Sequence, residues 1–143
     1  MKVKFKKLIP KAQAPKFAHK GDAGADLFAT SYIYDAEQDN YIYGTGLAVE
    51  VPEGHVMLLF PRSSNRKTDC YMTNHVRVVD SAYRGEIMVT FKSRDRNLVT
   101  KPYEVGDRIA QAIIIPYPEI EYEEADELSD TERGTGGHGS TGR

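Results

Sequence analysis

Hydrophobic and polar residues alternate in short bursts along most of this chain. Lys2, Lys4 and Lys6 alternate with Val3 and Phe5, and Leu47, Val49 and Val51 alternate with Ala48 and Glu50. A period of two is the mark of a β-strand. The second run meets a turn at Pro52-Glu-Gly54. Three further apolar stretches, His55–Phe60, Glu86–Phe91 and Ile109–Ile115, are short and bounded by Pro61, Gly85, Gly106 and Pro116. They read as strands with buried faces. The tyrosine-rich stretch 31–43 reads as an edge hairpin, with a partner surface as the lesser reading. Turn residues recur about every 8–12 positions, the rhythm of an antiparallel sandwich or barrel. The best helical signal is Ser63–Thr68, which has a serine to cap it and little apolar face. The pattern predicts an all-β fold with one short helix.

Composition narrows the class. The chain has 143 residues, the length of one domain, and is 40% hydrophobic, enough for a core. Its net charge of −2 gives no bulk case for nucleic-acid binding. Cys70 is the only cysteine, which excludes an internal disulfide and suits a reducing compartment. No apolar run approaches the roughly 18 residues of a membrane span. The start MKVKFKKLIP is basic without an apolar stretch behind it, unlike a signal peptide. A soluble, cytoplasmic protein (host cytoplasm for a viral one) with no membrane partner is expected.

Charge is unevenly placed. Lys2, Lys4, Lys6, Lys7 and Lys11 load the beginning, whereas residues 119–132 carry acids and no base. The acidic stretch lacks a core pattern and reads as a tether. Residues 119–133 could span at most about 50 Å when extended, far enough to reach a neighbouring subunit. The core is therefore placed at residues 1–118 and an extended arm at 119–143.

The candidate chemistry is concentrated in five segments. Arg133-Gly-Thr-Gly-Gly-His-Gly-Ser-Thr-Gly-Arg143 combines glycines, hydroxyls and arginines around His138. It fits a loop that cradles phosphates and covers a flat ring, or a flexible tail. Pro61-Arg-Ser-Ser64 ends a strand at the short helix and fits either a phosphate site or an ordinary cap. Asp80 closes the apolar run in Asn74–Gly85 and fits a general base or a turn aspartate. Gln111 sits between apolar neighbours in Gly106–Gln111 and either faces outward or donates to something specific. Gly21-Asp-Ala-Gly-Ala-Asp26 offers two acids that could help hold a hydrated Mg2+, though no dense carboxylate cluster is present to cage one.

Taken in order, these segments resemble the trimeric deoxyuridine triphosphate nucleotidohydrolases, the dUTPases. The matching motifs are Ala23-Gly-Ala-Asp-Leu27, Pro61-Arg-Ser-Ser64, Asn74–Gly85, Gly106-Asp-Arg-Ile-Ala-Gln111 and Arg133–Gly142. The resemblance implies a jelly-roll-like distorted β-barrel (a β-clip) and a homotrimer with shared sites. Motifs one, two and four would come from one chain, the third from a second and the tail from the third. It implies hydrolysis of dUTP to dUMP and pyrophosphate with Mg2+, limiting uracil in DNA and supplying dUMP for thymidylate synthesis. Asp80 would activate water for attack on the α-phosphorus, and Asp26 would touch Mg2+ through water. Arg62, Ser63, Ser64 and Gln111 would grip phosphates. Asn74 and the backbone around Val78, Val79 and Met88 would read uracil, with Tyr83 under the deoxyribose. Arg133, Gly139, Ser140 and Thr141 would close on the γ-phosphate while His138 lies over the base.

Two positions depart from the family pattern. Arg77 stands where glycine is usual and would be strained if the site needs positive φ. His138 stands where phenylalanine is usual. Two other readings compete: a dCTP deaminase of the same fold, and a regulator that uses the fold to bind a protein. Against the first, the Gly-rich tail is complete and the candidate base is an aspartate. Nothing in the chain requires the second.

Overall fold

The apolar run at 109–115 becomes a nine-residue strand, the longest among the described residues, with hydrogen-bonded neighbours on both edges. In the computed structural model, residues 1–95 and 101–137 are described. Among these residues, ten strands and one 3-10 turn follow in chain order. They are β1 (Lys4–Lys7), β2 (Ala25–Phe28), β3 (Ser31–Asp35), β4 (Asn40–Gly44), β5 (Leu47–Glu50) and β6 (His55–Phe60). After the turn at Ser63–Lys67 come β7 (Cys70–Met72), β8 (Arg77–Val79), β9 (Met88–Ser93) and β10 (Arg108–Pro116). One four-stranded sheet has the order β2-β10-β6-β8 and the other β3-β4-β9-β7, while β1 pairs with β5. All pairings are antiparallel. The expected all-β architecture is present, and the tyrosine-rich hairpin lies at a sheet edge as β3 and β4.

Both sheets contribute to one core, in which Leu27, Leu47, Leu59, Ile87, Val89, Phe91 and Ile109 are fully buried. Tyr43 lies among them, edge-on to Phe91 and Tyr103. Its hydroxyl donates to the Tyr103 carbonyl at 2.8 Å and accepts the Tyr103 N–H at 3.2 Å. A buried phenol is satisfied by this exchange, which also pins the chain ahead of β10 to β4. Tyr43→Phe would leave both backbone groups unpaired and should cost about 1–3 kcal/mol.

Burial pushes the Tyr43 phenol above its ordinary range, opposed by the bond to Tyr103. An unfolded tyrosine ionises near pH 10. The folded state therefore binds the proton more tightly. The stability linked to it is complete below about pH 10 and declines as pH rises through the higher folded value. Thermal melts from about pH 9 to 11 should show a steeper loss for the native protein than for Tyr43→Phe. Parallel curves would mean that another group governs the alkaline limit.

Two local expectations need correction. The segment after Pro61 is helical, but it is a five-residue 3-10 turn with Arg62, not a serine, at its N-cap, and no side chain caps it. It is held by the Asn65 N–H bonding to the Arg62 carbonyl and ends on Arg66 and Lys67. Backbone closure over so few residues leaves a serine cap nothing to stabilise. Arg77 is not at a positive-φ position either. It is extended within β8, and the left-handed residue of the hairpin is His75, with φ 54°.

The alternation at the start of the chain produces β1, but all four of its residues are exposed. Phe5 borders an apolar groove of 380 Å³ that also involves Met1, Val3, Phe17, Val49 and Ile114. At the other end, the Tyr117 N–H bonds to the Gly54 carbonyl. From there to residue 137 the chain forms no strand or helix, and Ile120, Tyr122 and Leu128 are exposed. Among the described residues, no helix is long and apolar enough to cross a membrane.

Candidate active site

Three motifs meet where β2, β10 and the end of β6 lie side by side. Asp26 is held on β2 by paired backbone bonds with Lys16 at 2.8 and 3.1 Å and is only 7% exposed. A carboxylate buried that far needs cations. Arg62 Nε donates to Asp26 Oδ1 at 2.6 Å, and Arg108 Nη1 to Oδ2 at 3.2 Å. Arg62 also donates to the Ser64 hydroxyl at 3.3 Å. One carboxylate between two guanidinium groups leaves a net positive charge.

Gln111 completes this face. It pairs with Asp26 on one side and Phe60 on the other, and its Nε2 donates to the Pro61 carbonyl at 3.1 Å. Gly24 makes room for it, since a Cβ there would sit 2.5 Å from Gln111 Oε1. The side chain thus faces a specific acceptor at the motif boundary. A cleft of 370 Å³ is lined by Gly24, Asp26, Arg62, Ser63 and Gln111, among others. Its chemistry suits an anion, as the short sequence Pro61–Ser64 suggested. Arg108 belongs to this cluster and was not assigned a role from sequence. The signal was available: an acid inside the apolar stretch Ala25–Phe28 implies buried cations, and Arg108 opens the strand next to it.

The third motif builds a second group. Asn74, Val78 and Asp80 are exposed, whereas Val79 is buried. Asp80 follows β8, and its carboxylate makes no hydrogen bond or ion pair among the described residues. Its carbonyl accepts the Tyr83 N–H at 3.1 Å, closing a turn. The Tyr83 hydroxyl donates to the Glu86 carbonyl at 3.0 Å. The ring lies where a Cβ on Gly85 would be, which is why glycine is needed there. Met88 begins the strand that follows.

These two groups are far apart in one chain. Strand β8 pairs with β6 so that Met57 faces Val79, which puts Asp80 beside Val56 at the start of β6. Arg62 lies just beyond the other end of β6. Six residue steps, from Val56 to Arg62, separate them, about 20 Å at 3.3 Å each. The structure brings Asp26, Arg62, Ser63, Ser64 and Gln111 together; Asn74, Val78, Val79, Asp80 and Tyr83 follow one another along one hairpin segment, in which Asp80 meets Tyr83 and Arg77 meets Met88. The register does not bring one set to the other. Arg133 is exposed and bonds to the Gly136 carbonyl within its own turn, at 2.8 Å. His138, Gly139, Ser140 and Thr141 lie outside the described residues. Among the described residues, no three His, Cys, Asp or Glu side chains are grouped to hold a metal.

Comparison with known proteins identifies the family. A dUTPase family model matches residues 10–142. A deoxyuridine 5'-triphosphate nucleotidohydrolase of Nocardia farcinica is 39% identical, covering 98% of this chain and 85% of its own. One from Corynebacterium glutamicum is 40% identical, covering 99% and 95%. Among solved structures, a Staphylococcus bacteriophage 80alpha dUTPase with dUpNHpp is similar at a TM-score of 0.83 and 26% identity, covering 99% of both chains.

Proposed function

Since the chain belongs to the dUTPase family, we propose that its active sites lie between the subunits of a homotrimer, with Asp80 as the base. The enzyme is a dUTP diphosphatase: it splits dUTP into dUMP and pyrophosphate, which limits uracil incorporation into DNA and supplies dUMP for thymidylate synthesis. Deamination and a purely regulatory role are not favoured. The observation that supports a shared site is the separation along β6. About 20 Å of strand lies between Arg62 and Asp80 of one chain, which supports a base supplied by a neighbour. Residues 119–143 would form an arm that reaches a third chain.

Each group then has a task. Arg62, Ser63, Ser64 and Gln111 hold the phosphates in a cationic cleft, where positioning and charge neutralisation do most of the work of phosphoryl chemistry. Asp80 takes a proton from water, whose oxygen attacks the α-phosphorus. The bond from that phosphorus to the bridging oxygen breaks, and pyrophosphate leaves with the electron pair. Tyr83 packs under the deoxyribose and excludes a 2′-hydroxyl. Asn74 and the backbone at Val78, Val79 and Met88 take the base. Arg133, His138, Gly139, Ser140 and Thr141 close over the bound nucleotide.

The residues fit a Mg2+ that arrives with the nucleotide. Asp26 is a lone carboxylate already shared by two arginines, so it suits contact through water and not a protein cage. Bound there, Mg2+ would neutralise phosphate oxygens as pyrophosphate leaves.

Pyrophosphate release from dUTP, dTTP, dCTP and UTP, with Mg2+ and with EDTA, tests this reading. Strong preference for dUTP and loss of turnover in EDTA are expected. Comparable turnover of UTP would remove the role given to Tyr83. Scattering that showed single protomers under conditions of full activity would remove the shared site.

A further inference from the structure

The Asp26 carboxylate stands between two clefts. Arg62 holds its Oδ1 in the cleft that Ser63 and Gln111 line, and Arg108 holds its Oδ2. On the Arg108 side lies a second cleft of 430 Å³, lined by Lys16, Ala18, His19, Asp26, Phe28 and Arg108. The two share only Ala18 and Asp26. Strand alternation explains why cations gather there. Lys16 is the bridge partner of Asp26, so both side chains leave on one face. Phe28, two residues along β2, shares that face, and Arg108 is its partner on β10. Lys16 is exposed, and its ammonium makes no ion pair among the described residues. The Arg108 side chain is 49% exposed. His19 is fixed by a turn: its N–H donates to Asp22 Oδ2 at 2.8 Å, and the Asp22 N–H donates back to its carbonyl at 3.3 Å. Asp22 itself lines the first cleft. The one acid lining the second is Asp26, which already serves two guanidinium groups.

We propose that the second cleft is a binding site for inorganic pyrophosphate, separate from the cleft that holds the triphosphate. The inference rests on the dUTPase reading, which makes pyrophosphate the product released beside it. A concave surface with cations of one sign concentrates a small, highly charged anion. Arg108 offers the rest of its planar fork to phosphate oxygens, and Lys16 adds an ammonium on a flexible stem. Ser63 and Gln111 do not line this cleft, and the ion pairs of Asp26 stand between it and them. An anion here is therefore held while the first cleft is full. Pyrophosphate leaving Arg62 would pass across Asp26 from one set of cations to the other.

The test fills the first cleft and then looks for the second. Full-length native protein is saturated with a non-hydrolysable imido analogue of dUTP and titrated with pyrophosphate in a calorimeter, at fixed free Mg2+. Pyrophosphate should bind the saturated protein. Lys16→Gln should weaken that binding about fivefold, the upper value for an exposed ion pair. The affinity for the analogue should stay as it was, and Lys16→Arg should keep both. Lys16 is exposed, so neither change threatens the fold. Absence of pyrophosphate binding to the saturated native protein overturns the proposal, as does unchanged binding in Lys16→Gln. Equal weakening of analogue and pyrophosphate also overturns it, because Lys16 would then serve the triphosphate itself. A parallel titration with orthophosphate distinguishes the source: tighter binding of pyrophosphate supports the product, and equal binding of the two overturns that assignment. A native protein that hydrolyses no dUTP ends the dUTPase reading and the proposal with it; that result is distinct from missing pyrophosphate binding in an active enzyme.

Discussion

With Asp80 as the proposed base, Asp80→Asn should leave a folded protein that binds dUTP and hydrolyses it about 10²–10⁴-fold more slowly, the usual contribution of such a group. The separation of binding from turnover is the informative part. Asp80 is exposed and its carboxylate has no protein partner among the described residues, so asparagine disturbs no contact. Such surface changes usually alter stability by less than about 0.5 kcal/mol. Asparagine keeps the shape and can still hydrogen-bond water, but it cannot take the proton. Titration calorimetry with dUTP and steady-state kinetics on the same sample would check both halves. Activity within tenfold of native would assign the base elsewhere.

The second large effect concerns Arg62, which pairs with buried Asp26 and, in the proposed site, also holds a phosphate of the substrate. Arg62→Leu strips the closer of two cations from a carboxylate that is only 7% exposed. Arg108 remains, but at 3.2 Å and with its side chain 49% exposed it screens Asp26 poorly. Breaking a buried pair typically costs 3–5 kcal/mol, and with Arg108 still present a loss of about 3 kcal/mol in urea unfolding is expected. Turnover should fall as well, by about 10²–10³, the cost of removing one preorganised donor from an oxyanion hole. The double variant Asp26→Asn/Arg62→Leu separates the roles. With no charge left to bury, it should regain most of the stability and none of the activity. If stability and activity returned together, Arg62 would be a structural residue alone.

Much of the fold is legible in the sequence, because strands here are short apolar runs closed by Gly and Pro. His55–Phe60 and Ile109–Ile115 are legible in this way: their flanks state where each strand must stop. The cleft around Asp26, Arg62 and Gln111 is legible for a related reason. An acid among apolar residues at Asp26, a strand ending in Pro61-Arg62, and a glutamine inside an apolar strand are each unusual. The structure makes them neighbours through one register, Gln111 opposite both Asp26 and Phe60.

What escaped sequence reading depends on tertiary pairing. Arg108 acts only because β10 lies beside β2, with a register shift between Arg108 and Ala110. The positive φ of the hairpin falls on His75, where the chain turns, and not on Arg77, which the ladder with β6 keeps extended. The serine cap failed because five residues close as a 3-10 turn without one. The exposure of β1 could not be read from alternation either, since period two says that two faces differ and not that either is covered.

The length of β6 also has a genetic consequence. Under the trimeric reading, each copy lends its hairpin to one catalytic centre and its arginine cleft to another. A cell making intact and Asp80-defective copies together would assemble mixed trimers at random. Every defective copy silences the single centre that borrows its aspartate, so the harm rises in proportion to its share of the pool. Such an allele would behave additively, neither dominant nor fully masked.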